Sequence, residues 1–146
     1  MDNKQKALCK YFMEVESYSV REAVELAQNW EDQSYNEDYM VLTDDEADQK
    51  ARDYIEDSVW AFRASFILSE CGLDLSGAES LEEMQGKSCE GANDFILSLI
   101  EKTCGLDSFV DSAISADGRG LFISSYDGEE NEQKIDDEYY YIYRVN

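Results

Sequence analysis

Residues 43–59, TDDEADQKARDYIEDSV, predict the helix around which we interpret the rest of the fold. Thr43 and Glu46 have the spacing of a capping box, in which each side chain accepts a hydrogen bond from the other residue's backbone N–H. We therefore expect a helix over residues 44–58. Its apolar residues recur at helical spacing and form the expected buried stripe: Ala47, Ala51, Tyr54, Ile55 and Val59. The rest of its surface is mainly acidic and carries Asp44, Asp45, Asp48, Asp53, Glu56 and Asp57.

The flanking segments predict further helices and one strand. We expect helices over residues 2–16, from Ser19 onward, and near residues 80–85, 91–103 and 107–115, and a strand over residues 39–42. Ser19 and Glu22 form a second capping box. Gly72 and Gly105 are expected helix stops, because glycine readily adopts the left-handed conformation found there. We expect the stripe of the 91–103 helix to include Phe95, Ile96, Leu99 and Ile100.

The C-terminal segment changes to a strand pattern. Residues 117–120, DGRG, are typical of a turn, and residues 121–125 then predict a strand. Residues 127–138 predict a solvated acidic loop, and residues 139–145 a second strand that pairs with the first as an antiparallel hairpin. The expected fold is therefore α+β, with five or six helices packed on a small antiparallel sheet that includes a C-terminal β-hairpin. At 146 residues, we expect a single acidic domain over residues 1–146.

Composition narrows the classes of function. The chain has 34 Asp and Glu against 12 Lys and Arg, for a net charge of −22 and a pI near 4.1. This charge excludes simple electrostatic binding to nucleic acid or to an anionic membrane. There is no His, and Gly86-Lys87-Ser88 lacks the upstream glycine of a phosphate-binding loop, since Leu81 stands there. We therefore expect a protein that is not an enzyme and takes no cofactor.

Cysteine and carboxylate spacing gives no metal motif. The four cysteines contain no CxxC pair, and we expect free thiols in a reducing cytoplasm. Asp127, Glu129, Asn131 and Glu138 align with ligand positions of a calcium-binding EF-hand loop, but Glu132 stands where that loop needs glycine. No dedicated metal site is expected, and weak divalent binding by this loop stays open. The N-terminal apolar stretch is too short for a signal peptide, and no stretch approaches about 18 apolar residues, so we expect a cytoplasmic protein.

Two acidic patches are candidate binding surfaces. Residues 31–57 hold 11 acids with Lys50 and Arg52 as their only bases, and residues 127–138 hold seven acids and one Lys. Carboxylates four residues apart on a helix lie about 6 Å apart, a separation of the same order as that of neighbouring phosphates on a DNA strand. The expected partner-binding residues are Asp44, Asp45, Asp48, Asp53, Glu56, Asp57, Asp127, Glu129, Glu130 and Glu132. Tyr35, Tyr39 and the tyrosines of residues 139–143 are candidate aromatic anchors.

Three stretches carry a resemblance to known proteins. They are LTDDEADQKARDYIEDSVWAF (42–62), ISADGRGLFISSYDGEENE (114–132) and YYYIYRVN (139–146). In texture they resemble small acidic proteins of tailed phages and mobile elements, among which DNA-mimic inhibitors of restriction or CRISPR nucleases are common. The resemblance implies residence in the host-cell cytoplasm.

Two functions follow as hypotheses. The first is a DNA-mimic inhibitor that blocks the basic groove of a nucleic-acid-binding protein, and the alternative is an acidic adaptor that binds a basic protein without imitating DNA. Neither hypothesis involves direct contact with nucleic acid or membrane. Arg119 is either a presented functional side chain or the decoration of a turn. The oligomeric state is left open.

Overall fold

A computed structural model describes all 146 residues and shows eight α-helices and three β-strands. The helices are α1 (Asn3–Glu14), α2 (Val20–Asn29), α3 (Asp44–Ser58), α4 (Ala64–Glu70), α5 (Ala78–Ser88), α6 (Asn93–Lys102), α7 (Leu106–Asp117) and α8 (Arg119–Ile123). The strands are β1 (Tyr39–Leu42), β2 (Asn131–Ile135) and β3 (Glu138–Arg144). The predicted α+β class with a C-terminal β-hairpin is confirmed. The helices that raise the number above the expected five or six, α4 and α8, are only seven and five residues long.

The chain forms two compact units. The first comprises Met1–Ala51 and Arg119–Asn146 and contains the whole sheet. The second comprises Arg52–Gly118 and is helical. Helix α3 contributes residues 44–51 to the first unit and residues 52–58 to the second. The expectation of a single domain over residues 1–146 stays a prediction.

The sheet of the first unit has the strand order β1-β3-β2, with both pairs antiparallel. Tyr141 in the central strand β3 is paired with Leu42 of β1 on one side and with Glu132 of β2 on the other. Helix α1 supplies the centre of the hydrophobic core, where Leu8 and Phe12 are buried together with residues of α2, β1 and β3. This packing positions the N-terminus of α3, which begins directly after β1.

The predicted helix signals in this chain are confirmed. Ser19 and Glu22 form the reciprocal capping box of α2. Thr43 and Glu46 form that of α3, with the Thr43 N–H donating to Glu46 Oε1 at 3.0 Å. Gly72 follows α4 at φ +70°, a conformation that strains any residue with a Cβ. No helix of the structure combines the length and the apolar composition needed to cross a bilayer.

The predicted strand over residues 121–125 is wrong, because Arg119–Ile123 form helix α8. A short apolar run has no periodicity that separates a strand from a helical turn, and tertiary packing decides. Here Gly120 lies flush against the following chain: a Cβ on Gly120 would come within 2.4 Å of the Gly128 carbonyl oxygen. The helical turn also buries Phe122 and Ile123 together, which an alternating strand would place on opposite faces.

The predicted solvated loop over residues 127–138 is also wrong, because its second half contains β2. The hairpin partner of β3 is therefore residues 131–135, not 121–125. Asp136 and Asp137 connect the strands with φ +50° and +67°. Two left-handed residues in a two-residue loop are the signature of the type I′ turn, which is normally signalled by Asn-Gly or Asp-Gly. An Asp-Asp pair in an acidic run hid this signal.

Two predicted stripes contain one wrong residue each. Ala47, Ala51 and Ile55 of α3 are fully buried as expected, whereas Tyr54 is exposed. Phe95 of α6 is likewise exposed, although Ile96 is buried. Tyr54 and Phe95 each stand one position before a buried residue. Neighbouring positions differ by 100° around the helix axis, so each aromatic side chain lies at the margin of the buried face.

Candidate acidic binding surface

The carboxylates of this protein all lie outside its core. The buried polar residues are Ser124 and Gln133, and no Asp or Glu is among them. The negative charge of the 34 acids is therefore carried by the surface. No group of three or more Cys, Asp and Glu side chains is arranged to hold a metal ion.

The start of α3 is fixed by Glu46. Besides capping the helix, the Glu46 carboxylate accepts from the Lys4 ammonium at 3.0 Å, and Lys4 also pairs with Asp32 at 3.0 Å. Partial burial opposes ionisation of Glu46, but the hydrogen bonds from Thr43 and Lys4 outweigh it. The pKa of Glu46 is consequently lowered. The first turn of α3 is thereby tied to α1.

Arg119 gathers three carboxylates of the first unit. Its Nη1 donates to Asp44 Oδ1 at 2.7 Å and to Asp48 Oδ1 at 2.9 Å, and its Nε donates to Glu130 Oε1 at 2.8 Å. The guanidinium also lies over the Tyr141 ring, 4.5 Å from its centroid. We call these five residues the Arg119 cluster. The cluster brings together carboxylates from the two acidic patches, residues 31–57 and residues 127–138, which the sequence presents as separate.

Backbone geometry delivers Arg119 to this position. Gly118 ends α7 at φ +82°, which lets α8 begin at the next residue. The close approach of Gly120 to residues 128–130 then brings the following chain, including Glu130, alongside Arg119. The Tyr143 hydroxyl donates to the same Glu130 oxygen that accepts from Arg119. Glu130 is thus held from two sides.

The electrostatics of the cluster favour its charged form. Only 10% of the Arg119 side chain is exposed, and this burial opposes the positive charge. The hydrogen bonds that Arg119 donates to Glu130, Asp44 and Asp48 outweigh burial, and the pKa of Arg119 is raised. The pKa of Tyr143 is raised by burial and by its bond to Glu130. Arg119 therefore remains a cation, and the cluster keeps more negative than positive charge.

The carboxylates of the cluster remain open to solvent on their other sides. Side-chain exposure is 64% for Asp44, 59% for Asp48 and 31% for Glu130. Each uses one oxygen, Oδ1 or Oε1, toward Arg119. Two carboxylate oxygens that share Nη1 at 2.7 and 2.9 Å lie no farther apart than the sum of these distances. The three carboxylates are therefore held by Arg119 and are available for contact.

The other predicted residues of the first unit surround this cluster less tightly. Asp45, Glu129 and Glu132 are exposed, and Glu132 is paired with Tyr141 across the hairpin. Asp127 accepts from the Ser124 hydroxyl at 2.8 Å and from the Glu129 N–H at 3.0 Å, so it shapes the turn after α8. Of the four predicted C-terminal residues, the structure brings Glu130 into the Arg119 cluster.

Three predicted residues belong to the second unit. Asp53 and Asp57 are exposed, and Glu56 is half-buried. Arg52 donates to Glu56 at 3.1 Å and to Asp107 at 2.5 Å, which neutralises part of this segment. The hydrogen bond to Asp107 is the largest influence on Arg52, and its pKa is raised.

The candidate aromatic anchors divide into exposed and structural residues. Tyr35 is fully exposed, and Tyr139 is exposed. Tyr140 and Tyr143 are buried, so the tyrosines of residues 139–143 are not one surface cluster as expected. The alternation of β3 places these side chains on opposite faces of the sheet.

Arg119 is the residue that sequence reasoning underrated. Its side chain is not presented to solvent, and it does not merely decorate a turn, because it is buried among three acids. The available signal was the Gly-Arg-Gly run, whose second glycine permits a close backbone contact. A single arginine does not identify its partners when 34 acids are present.

Comparison with known proteins gives no relative. No protein-family model matches the chain, and no curated protein or solved structure does.

Proposed function

We propose that this protein is a non-enzymatic inhibitor that presents carboxylates in place of DNA phosphates. Its target would be the basic groove of a nucleic-acid-binding protein, specifically a restriction or CRISPR nuclease of the host cell, in the cytoplasm. The observation that supports the proposal is the Arg119 cluster, in which Asp44, Asp48 and Glu130 are ordered by one buried cation and still exposed.

The spacing within the cluster suits this role. Carboxylates four residues apart on a helix lie about 6 Å apart. Asp44 and Asp48 have this spacing in sequence, and the shared Arg119 Nη1 holds one oxygen of each at 2.7 and 2.9 Å. DNA phosphates follow one another with about 3.4 Å of axial rise per strand, so neighbouring phosphates are separated by a distance of the same order. Lys and Arg side chains that bind a row of phosphates would therefore bind a similar row of carboxylates.

Order in the cluster strengthens such binding. Immobilising a mobile side chain at an interface costs about 0.5–1.5 kcal/mol, and a side chain already held in place avoids much of this cost. The Arg119 bonds restrain three carboxylates before any partner arrives. Their exposed oxygens then form charge-assisted hydrogen bonds with the partner.

An acidic adaptor is the second candidate function. It is favoured by the exposed acids outside the Arg119 cluster, such as Asp45 and Glu129, which need no phosphate-like order to attract a basic protein. Arg119 also removes one negative charge from the row. The two functions make different predictions about competition. A DNA mimic and DNA compete for the same site on the partner, whereas an adaptor and DNA do not.

Capture followed by competitive elution tests the proposal. The full-length protein is immobilised, incubated with bacterial lysate at low salt, and washed. One half is eluted with short duplex DNA and the other with a salt solution of equal ionic strength, and the eluted proteins are identified by mass spectrometry. We expect DNA to release nucleic-acid-binding proteins that the matched salt leaves bound.

One control variant and one test variant sharpen the result. The double variant D111N/D117N removes two exposed carboxylates of α7 and should capture the same proteins. The variant D44N/D48N removes two carboxylates of the Arg119 cluster and should capture much less, with circular dichroism confirming its fold. Equal elution by DNA and by salt would support the adaptor and contradict DNA mimicry.

A further inference from the structure

Strand β2 forms one edge of the sheet. It is paired with β3 on one side, and the strand order β1-β3-β2 places no strand on the other side. One face of β2 is turned toward α1, where Gln133 is buried and donates to the Glu14 carboxylate at 3.3 Å. Glu132 and Lys134 lie on the opposite face and are exposed. A free edge is a template for another strand, so the unpaired backbone groups of β2 define a binding surface.

The hairpin geometry identifies these unpaired backbone groups. Ile135 and Glu138 flank the two-residue turn and therefore form a hydrogen-bonded pair. Hydrogen-bonded and non-hydrogen-bonded pairs alternate along an antiparallel ladder, so Gln133 also bonds to β3. The alternate residues Glu132 and Lys134 direct their N–H and C=O groups away from β3.

The opposite side of β3 gives the same alternation. The Val145 N–H donates to the Asp38 carbonyl at 2.8 Å, which continues the pairing of β3 with β1. Every second residue before Val145, namely Tyr143 and Tyr141, therefore bonds to β1. Tyr141 then has no backbone group left for its β2 neighbour Glu132. No turn or loop forms a backbone hydrogen bond with this edge of β2 either, so its groups are free for another strand.

Strand β2 is complementary to itself when two copies run antiparallel. A two-fold axis at Gln133 pairs residues 131–135 with the same five residues of a second copy. Glu132 then lies opposite Lys134 of the second copy, and Lys134 lies opposite its Glu132. These are the residues with free backbone groups, so each such pair forms both of its N–H···O=C bonds. A shift by two residues would place like charges opposite each other, and a shift by one would lose the hydrogen bonds.

We propose that the edge of β2 binds the same edge of a second copy of this chain. The product is a two-fold symmetric dimer with one continuous six-stranded antiparallel sheet. Lys134 is available for this pairing, because its side chain is 50% exposed and its ion pair with the solvent-exposed Asp137 is long, at 3.6 Å. The net charge of −22 on each copy opposes association, so dimerisation needs enough salt to screen the repulsion.

The dimer would also arrange the two Arg119 clusters. Tyr141, over whose ring the Arg119 guanidinium lies, is the cross-strand neighbour of Glu132 and shares its face of the sheet. The two-fold axis runs perpendicular to the sheet, so both clusters would lie on the same face of the dimer. The inference goes beyond the proposed function, since pairing of the two edges requires no nucleic-acid-binding partner.

Sedimentation equilibrium of the full-length protein tests the proposal. The measurement is made at neutral pH and about 150 mM salt, where the Debye length is about 8 Å. We expect the mass to rise from the 16.7 kDa of one chain to twice that value as the protein concentration increases. Amide hydrogen exchange adds a measurement that needs no variant, because the N–H groups of Glu132 and Lys134 should be protected only in the dimer.

Charge exchange tests the register. E132K and K134E each place like charges opposite one another and should weaken the dimer about tenfold or more. A mixture of the two variants should form a mixed dimer, because every pair is again Glu opposite Lys, and E132K/K134E should dimerise as the wild type does. E25K is the matched control, since Glu25 is an exposed residue of α2 and the same charge change there should not weaken the dimer. Circular dichroism checks the fold of each variant.

Three results would overturn the inference. The first is a protein that stays at 16.7 kDa over the whole concentration range. The second is a dimer that E132K and K134E leave intact, because its interface would lie elsewhere. The third is a loss of dimerisation in the single variants without recovery in their mixture. If a single variant unfolds, protection of the Glu132 and Lys134 amides in the wild type decides by itself.

Discussion

Arg119 and Glu130 lie eleven residues apart in sequence, and Arg119 Nε donates to Glu130 Oε1 at 2.8 Å. This bond joins the first residue of α8 to the segment before β2. Because the same guanidinium binds Asp44 and Asp48 at the start of α3, one side chain connects three parts of the first unit. The exposed carboxylates of this acidic surface are therefore held in place by a buried cation, Arg119.

Removing Arg119 should destabilise the protein. We expect R119A to lower the free energy of unfolding by about 1–3 kcal/mol, since hydrogen bonds to charged groups contribute about 1.5–3 kcal/mol each and solvent screening of the exposed carboxylates reduces their sum. Urea unfolding measures this change. R63A is the matched control, because Arg63 is exposed and makes no side-chain cap bond for α4. A loss no larger in R119A than in R63A would show that the cluster contributes nothing to stability.

Gly120 should tolerate no side chain. In G120A the added Cβ would lie 2.4 Å from the Gly128 carbonyl oxygen and 2.8 Å from the Glu129 carbonyl carbon, so backbone has to shift. We expect a loss of about 1–3 kcal/mol, as for overpacked sites. G86A is the control with the opposite sign: it lies within α5 with open space around it and should gain about 0.5–1 kcal/mol. Thermal melts of both variants test the pair, and an unchanged G120A would refute the close packing.

Sequence reasoning succeeded where a signal is local. The capping boxes at Ser19 and Thr43 and the apolar spacing in α3 depend on residues within a few positions of each other, so the helices they begin were predictable. The strand β3 was predictable from its run of aromatic and β-branched residues. These features need no knowledge of the remaining chain.

Sequence reasoning failed where a distant contact decides. The conformation of residues 119–123 depends on Gly120 meeting residues 128–130, and the two-residue turn at Asp136 depends on the pairing of β2 with β3. The partners of Arg119 lie up to 75 residues away. The ten candidate binding residues follow from acidic charge and helical spacing, and neither property shows that Asp44, Asp48 and Glu130 share one cation.

The Glu46 carboxylate should make stability depend on pH on the acid side. Its pKa is lower in the folded protein than its ordinary value of 4.5, so the folded state binds fewer protons than the unfolded state in that range. The resulting stability is present above about pH 4.5 and is lost as the pH falls through the folded pKa. Because E46Q keeps a capping side chain without the charge, we expect it to be about 0.5–1 kcal/mol less stable than the wild type near pH 6. The difference should shrink as the pH falls below about 4.5 and vanish once Glu46 is protonated in the folded protein.

Chemical denaturation at several pH values measures this difference. E25Q is the control, since Glu25 is an exposed residue of α2 and its replacement should leave a small, pH-independent difference. A gap between E46Q and the wild type that persists unchanged to low pH would mean that the charge of Glu46 has no part in it.

Exchange of Arg119 should separate DNA mimicry from simple charge attraction. R119A and R63A each remove one positive charge and make the protein equally more negative. If the partner responds to charge alone, both variants should bind it more tightly by the same factor. If the partner recognises ordered carboxylates, R119A should bind more weakly than the wild type although it is more negative, because Asp44, Asp48 and Glu130 lose the group that orders them.

We expect the weaker binding of R119A. The measurement is the affinity of each variant for a captured partner at about 50 and about 200 mM salt. The affinity of every variant should fall at the higher salt, because counterions compete with the partner. R119K, which keeps the charge but not the geometry of the guanidinium, should fall between R119A and the wild type. Equal tightening in R119A and R63A would assign the acidic surface to an adaptor.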